Sequence, residues 1–220
     1  MILIVKYLII VISAYLLGAI PFGLIISRRM AHVDIREHGS GNIGATNVFR
    51  TLGVRLGLIT AILDMSKAAL AVLLAMFIIG NGAFVAGGQD IHLQLSQILA
   101  AISAMVGHNW SVYIRFKGGK GVACFFGGLL VVNWVVALIG MAAGIIIALT
   151  TRYVSLGSIL AAVCVLLALV PLTLLASAPV YIVYGLLAAG LIVFQHRSNI
   201  MRLQSGTELK LGDKSVKAQR

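Results

Sequence analysis

The chain has 220 residues, of which 60% are hydrophobic and only 10% charged, with a mean hydropathy of +1.06. This excludes a soluble globular protein and describes a polytopic membrane protein built as one all-α domain over residues 1–220. The formal charge of +11 would suggest nucleic acid in a soluble chain, but here most cations flank apolar runs. Positive-inside bias accounts for them, so the expected surroundings are a lipid bilayer, with no nucleic acid. Cys124 and Cys164 both lie in apolar runs, which indicates neither a disulfide framework nor a thiolate metal site.

The first span is predicted over about Ile4–Ile26, ending at Ser27-Arg28-Arg29. It is too long for a signal-peptide core and is expected to stay as a membrane helix, kinked at Pro21, where a backbone donor is missing. A polar segment, 31–50, leads to a second span over about Val54–Ile79 that carries Asp64 and Lys67. Those two charges sit at i and i+3 on one helical face, where they can pair. An external loop, Gly80 to Ile91, contains Asp90 and no cation; a third span follows over about Leu93–Ile114, then the basic turn 115–121.

From Val122 to Leu149 there are 28 residues without a charge. One helix of that length would rise ~42 Å, well beyond the ~30 Å hydrocarbon core. Gly127-Gly128 and Asn133 offer a break, predicting a short helix at about 121–131 and a longer one at about 133–150. Two more spans are predicted, at about Val154–Leu174 and Pro179–Phe194, before a basic polar tail over about 201–220. With seven helices and an external N-terminus, the inside segments are 27–53 with the adjoining Arg55, 115–120, 150–153 and 195–220. They hold fifteen of the seventeen Lys and Arg, the others being Lys6 and Lys67. Six helices would put the basic tail and Arg152 outside, so the positive-inside rule selects seven, with a cytoplasmic C-terminus.

Three polar stretches then share the cytoplasmic face: Gly39-Ser40-Gly41-Asn42-Ile43-Gly44-Ala45-Thr46-Asn47 with Arg50, Lys117-Gly118-Gly119-Lys120-Gly121, and His196-Arg197-Ser198-Asn199. Glycines let a ligand approach the main chain, and neighbouring N–H groups or a helix start can cradle an anion. A polar turn between membrane helices uses the same residues, and two lysines at a membrane border also suit a basic anchor. The lysine stretch is no P-loop, because Gly121 follows Lys120 where Ser or Thr is needed. His196 and Asn199 share one face if the helix continues. Asp64 and Lys67 read as a buried pair supporting the first loop, with a direct role as the alternative. His32, His38, His92 and His108 carry no metal-ligand spacing, no Gly-x-Ser-x-Gly elbow exists, and no cofactor is implied. The His-x4-Asp pattern of common glycerolipid acyltransferases is absent: the residues five after the histidines are Glu37, Ile43, Gln97, Tyr113 and Met201.

Taken together, the three stretches, continued by Arg202-Leu203 and Gly206-Thr207-Glu208, resemble the motifs of the bacterial membrane glycerol-3-phosphate acyltransferases that use acyl phosphate, the PlsY family. Asp64-Met65-Ser66-Lys67, Gly107-His108 and Arg152-Tyr153-Val154-Ser155 fit the same pattern, whereas Ser111 and Cys124 depart from it. The resemblance implies seven membrane helices in the bacterial inner membrane. It also implies acyl transfer from acyl phosphate to the 1-hydroxyl of sn-glycerol 3-phosphate, giving lysophosphatidate and phosphate for phospholipid synthesis. Ser40, Gly41, Asn42, Thr46, Gly119 and Lys120 would hold acyl phosphate; Arg50, His196 and Asn199 would hold glycerol 3-phosphate. Ser40, Arg50, Lys120, His196 and Asn199 form the implied catalytic set, with Asn47, Lys117, Gly118, Gly121, Ser155, Arg197 and Glu208 as further substrate contacts. The acyl-phosphate-producing enzyme is an implied partner. A transporter for a phosphorylated solute also needs a cationic membrane pocket, but no internal repeat relates the halves.

Overall fold

The computed structural model describes residues 2–80, 91–175 and 180–213, the side chains of 172–175 excepted. Long apolar stretches must satisfy their backbone internally in lipid, and these residues accordingly form α1 (Ile2–Ala19), α2 (Phe22–Ala31), α3 (Ala45–Leu52), α4 (Val54–Ile79), α5 (Ile91–Asn109), α6 (Val122–Val132), α7 (Trp134–Thr151), α8 (Val154–Leu175), α9 (Val180–Gln195) and α10 (Arg197–Gln204). Short 3-10 turns occupy Ile35–Glu37 and Val112–Ile114.

The breaks fall where the chemistry of the chain puts them. Pro21 parts α1 from α2, as expected of the first span. Asn133 divides the long uncharged run, capping α7 by accepting from the Val136 N–H at 3.1 Å. The third span is shorter than expected: α5 ends at Asn109, and residues 112–114 form the separate 3-10 turn. At His196 the helix does not run on, because α10 leaves α9 at 59°. Residues 81–90 of the expected external loop, the start of the last span at Pro179, and 214–220 of the basic tail lie outside the described residues.

Among the described residues, four helical stretches are long and apolar enough to cross a membrane: Ile2–Ala31 through its kink, Val54–Ile79, Trp134–Thr151 and Val154–Pro171. The bent pair α9–α10 makes a fifth if counted as one span. The 11 residues of α6 rise only ~16 Å, about half the hydrocarbon core.

α4 and α5 form the centre, with α1 packed on both, α6 on α4, and α9 on α5; α7 and α8 pair beside them. Close approach rests on small residues, the usual solution where lipid is as apolar as the side chains. A side chain on Gly18 would collide with the Ala104 backbone, one on Gly107 with the Tyr15 carbonyl, and one on Gly127 with the Met65 carbonyl. Ala68, Ala71, Ala75, Ala100, Ala101 and Ala104 fill the buried seams. The consequence is that the chain segments before α3, before α6 and after α9 converge at one end of the bundle.

Candidate active site

The first wall is the segment from Val33 to α3. Asp34 caps its 3-10 turn, accepting from the Arg36 N–H at 3.0 Å, and is gripped by the Arg36 and Arg28 guanidiniums at 2.7 Å. The hydrogen bonds from Arg36, joined by Arg28, hold its carboxyl far below the usual range. Asn47 is the internal brace: its Nδ2 donates to the carbonyls of Ile35, His38 and Asn42, and its Oδ1 accepts from the Ser40 N–H at 2.9 Å. The Gly41 N–H goes to His38 O and the Gly44 N–H to Asn42 Oδ1. The glycine loop therefore spends much of its donor set on itself. What it presents is the start of α3, where no side chain caps the first turn and Gly44, Ala45 and Thr46 line the site.

The second wall is the lysine turn. Arg115 and Phe116 both adopt left-handed backbone (φ +56° and +60°), which folds the chain back sharply after Ile114. The Gly118 N–H reaches Asn109 O at 3.1 Å and the Gly119 N–H reaches His108 O at 2.9 Å. A side chain at Gly118 would strike that His108 carbonyl, and one at Gly119 would strike His108 Nε2, so only glycine allows this contact with the end of α5. Gly121, at φ +79°, then opens α6.

The third wall begins at the α9–α10 corner. His196 Nδ1 lies 2.8 Å from Ile192 O. A carbonyl only accepts, so Nδ1 carries the proton and Nε2 is left as the basic nitrogen. Lys120 Nζ donates to Asn199 Oδ1 at 2.6 Å, and Asn199 Nδ2 donates to Glu208 Oε1 at 2.6 Å. Glu208 also accepts from Ser155 Oγ at 2.7 Å and from Arg202 Nε at 2.8 Å. Burial alone would raise the Glu208 carboxyl, but these hydrogen bonds from Asn199, Ser155 and Arg202 outweigh it and lower it. The segment after α10 is tied across the site by its Leu211–Arg152 hydrogen bonds.

The three walls enclose a cavity of about 390 Å³ with two unlike ends. Ser40, Thr46, Arg50, Lys120, His196, Asn199, Arg202 and Glu208 line the polar end. Met65, Phe126, Met141, Ile145, Ala148 and Ala161 continue it as an apolar groove between α4, α6, α7 and α8. Burial pulls the Lys120 ammonium down to about 8, with Arg202 and Arg50 adding to the fall and Glu208 opposing it. Burial likewise lowers Arg50. The Arg50 guanidinium is half-buried and has neither a hydrogen bond nor an ion pair among the described residues.

Beneath the polar end lies a buried charge cluster. Lys67 Nζ contacts Asp64 Oδ1 at 2.8 Å, both side chains being 2% exposed, so the pairing expected from their spacing is present. Lys67 Nζ also donates to Ile20 O at 2.7 Å, beside the Pro21 break, and lies 2.9 Å from His108 Nδ1.

Of the residues singled out in the sequence, Ser40, Asn42, Thr46, Asn47, Arg50, Asp64, Lys120, Gly121, Ser155, His196, Asn199 and Glu208 line the cavity. Gly41, Gly118 and Gly119 lie behind its wall in the turns that shape it. Lys117 is exposed, and Arg197 is turned away, stacked on Phe194 and bonded to its carbonyl. Arg202 and His108 line the cavity too: Arg202 continues the third polar stretch and reaches beside His196 and Asn199 as that stretch implies, whereas no sequence signal marks His108, whose partners come from other helices.

A helical membrane fold whose one end gathers Arg50, Lys120 and Arg202 above an apolar groove, Arg50 having no partner among the described residues, defines an integral membrane protein that handles an anionic amphiphile. A sequence profile described as glycerol-3-phosphate acyltransferase matches residues 8–206. A glycerol-3-phosphate acyltransferase 3 of Dehalococcoides mccartyi (strain 195) is 45% identical over 97% of this chain and 99% of its own length. A glycerol-3-phosphate acyltransferase of Clostridioides difficile is 40% identical over 95% and 97%. The crystal structure of PlsY, an integral membrane glycerol 3-phosphate acyltransferase, in its glycerol 3-phosphate form superposes with a TM-score of 0.80 at 36% identity, over 94% of this chain and 96% of that one. Its lysophosphatidic acid form gives 0.78. The chain belongs to the glycerol-3-phosphate acyltransferase family.

Two outcomes are expected from this geometry. Lys67→Met strands the Asp64 carboxylate in the bundle and should cost ~3–5 kcal/mol, read as lost folded yield and thermal stability in detergent; adding Asp64→Asn should recover part of it. Since the Lys120 ammonium is lost as pH rises through about 8, kcat/KM of the free enzyme should fall above that pH, and Lys120→Arg should move the fall upward in a pH–rate series.

Proposed function

We propose that this acyltransferase carries an acyl group from acyl phosphate to the 1-hydroxyl of glycerol 3-phosphate, releasing lysophosphatidate and inorganic phosphate. The observation that carries this reading is the unpaired Arg50 guanidinium sharing one cavity with Lys120 and an apolar groove. Two phosphate-bearing substrates, one with a long chain, need that combination of cations and buried apolar wall. The solved relatives named for glycerol 3-phosphate and lysophosphatidic acid forms support the acceptor and the product. Lys120, Ser40 and the start of α3 hold the acyl phosphate; Arg50, His196 and Asn199 hold glycerol 3-phosphate. Glu208 and Ser155 keep Asn199 turned toward Lys120.

The acceptor hydroxyl oxygen bonds to the acyl carbon, the acyl–phosphate C–O bond breaks, and phosphate departs. The hydroxyl proton passes to His196 Nε2 or to a substrate phosphate. A mixed anhydride already has a good leaving group, so orientation and electrostatic stabilisation supply the rate without a covalent enzyme intermediate. No metal or cofactor takes part. The product feeds phospholipid synthesis at the bacterial inner membrane, and the enzyme that makes acyl phosphate is the partner.

The same reading includes the topology: one domain, seven spans with α5 and α6 among them, an external N-terminus and a cytoplasmic C-terminus. It is supported by the fifteen cations assigned to the inner segments. Single cysteines at Gly82 and Ser205 in a Cys-free background should be labelled from opposite faces; labelling from one face rejects seven spans.

The division of labour is tested by steady-state kinetics with each substrate varied in turn. Wild-type protein should turn over acyl phosphate and glycerol 3-phosphate, with acyl-CoA a poor donor and chelator without effect. Lys120→Met should lose roughly ten- to a hundredfold in kcat/KM, mainly through acyl phosphate, because a charge-assisted contact contributes ~1.5–3 kcal/mol. Arg50→Met should instead weaken glycerol 3-phosphate. Both variants weakening the same substrate would reject the assignment.

A further inference from the structure

His108 is 4% exposed at the end of α5, lines the cavity floor, and has no part in the reaction scheme above. Its neighbours determine which ring nitrogen carries a proton toward the site. The Lys67 ammonium donates to Ile20 O at 2.7 Å, lies 2.9 Å from His108 Nδ1, and is ion-paired with Asp64 Oδ1 at 2.8 Å, an oxygen that is itself 3.6 Å from His108 Nδ1. An ammonium can only donate, so His108 Nδ1 is the acceptor and the proton sits on Nε2. Were the ring to become an imidazolium, Nε2 would still carry its proton. Nε2 has no hydrogen-bond partner among the described residues. It lies directly under Gly119, where any side chain would cover it. One residue further on, Lys120 marks the polar end of the cavity, and Phe126, one turn into α6, marks the apolar groove. His108 thus stands at the junction of the two ends.

We propose that His108 is a catalytic residue whose Nε2–H donates to the acyl oxygen of the bound donor, stabilising the negative charge that forms there when the acceptor hydroxyl attacks. Buried Lys67, Asp64 and the Ile20 carbonyl serve as the rigid backing that holds the ring's tautomer and aim. The inference deepens the acyl-phosphate reading and rests on it. It explains why a buried ion cluster is maintained directly below a glycine turn. A junction between a phosphate-binding end and an acyl groove is where the carbonyl of an acyl phosphate must lie. A preorganised donor there acts on the transition state more than on the bound substrate.

Two substitutions separate this role from a packing role. In His108→Asn the short amide oxygen takes the place of Nδ1 and still accepts from Lys67, but nothing donates toward the cavity. In His108→Gln the longer amide returns an N–H to the place of Nε2. With folded protein confirmed by size exclusion and thermal unfolding, His108→Asn should lower kcat about a hundredfold, with both KM values within threefold of wild type. His108→Gln should regain at least tenfold of that loss. A folded His108→Asn protein with kcat near wild type, or a raised KM at unchanged kcat, overturns the proposal; so does the absence of any regain in folded His108→Gln protein. Should both variants fail to fold, wild-type protein with 15N-labelled histidine decides. An acyl phosphonate, whose C–P bond replaces the C–O bond to be broken, should shift the His108 Nε2–H resonance, and an unmoved resonance overturns the proposal. Wild-type protein inert toward acyl phosphate rejects the donor reading separately, and the variants are then compared with whichever acyl donor it does turn over.

Discussion

A lysine ammonium in the interior of a membrane bundle is tolerable only when an opposite charge and hydrogen-bond acceptors meet it there. Lys67 finds them in three places: the Asp64 carboxylate on its own helix, His108 at the end of α5, and the Ile20 carbonyl at the break between α1 and α2. Pro21 is the reason that carbonyl is available, because the chain leaves helical geometry there. One side chain therefore ties together the first span, the central helix and the helix that ends beneath the lysine turn. Ser111 Oγ does the same for the Ala19 carbonyl on the preceding residue. The polar end of the cavity is built on this joint.

Above the joint, the loops are organised by saturating their own polar groups. Asn47 meets four backbone partners within the first loop, which makes it a brace. Gly118 and Gly119 give their N–H groups to α5. The site is consequently cationic through side chains and one helix start, with few free loop amides. Arg50, Lys120 and Arg202 stand around the Glu208 carboxylate, and Asp64 is already paired with Lys67, so positive charge remains for a ligand after the internal pairs are formed.

The cavity's two ends express the substrate problem of a membrane acyltransferase. Headgroup chemistry needs fixed cations, while the chain needs an apolar trough reachable from the bilayer. Gly144 and Gly157 let α7 and α8 approach closely along that trough, where a side chain on Gly144 would come within 2.9 Å of the Ala161 methyl. Placing the trough between α4, α6, α7 and α8, and the cations on the segments that join them, keeps each function on the element suited to it.

Sequence by itself determined the parts of this protein that depend on local chemistry. Apolar run length set the helical membrane class, Asn133 and Pro21 marked their breaks, and the i,i+3 spacing of Asp64 and Lys67 announced their pair. The three cationic motifs with Arg50, Lys120, His196 and Asn199 were legible for the same reason: each is contiguous and chemically distinctive. Only tertiary structure decided the rest. Whether Lys117 or Lys120 faces the cavity depended on a fold-back at Arg115 and Phe116, two residues whose types do not announce left-handed backbone. Arg197 turns away because α10 bends at His196 and Phe194 offers its ring. His108 gained its place from Lys67 and Gly119, 41 residues before it in one case and on the next turn in the other. A histidine's meaning is set by what meets its two nitrogens, and those partners arrive from helices that no local pattern relates.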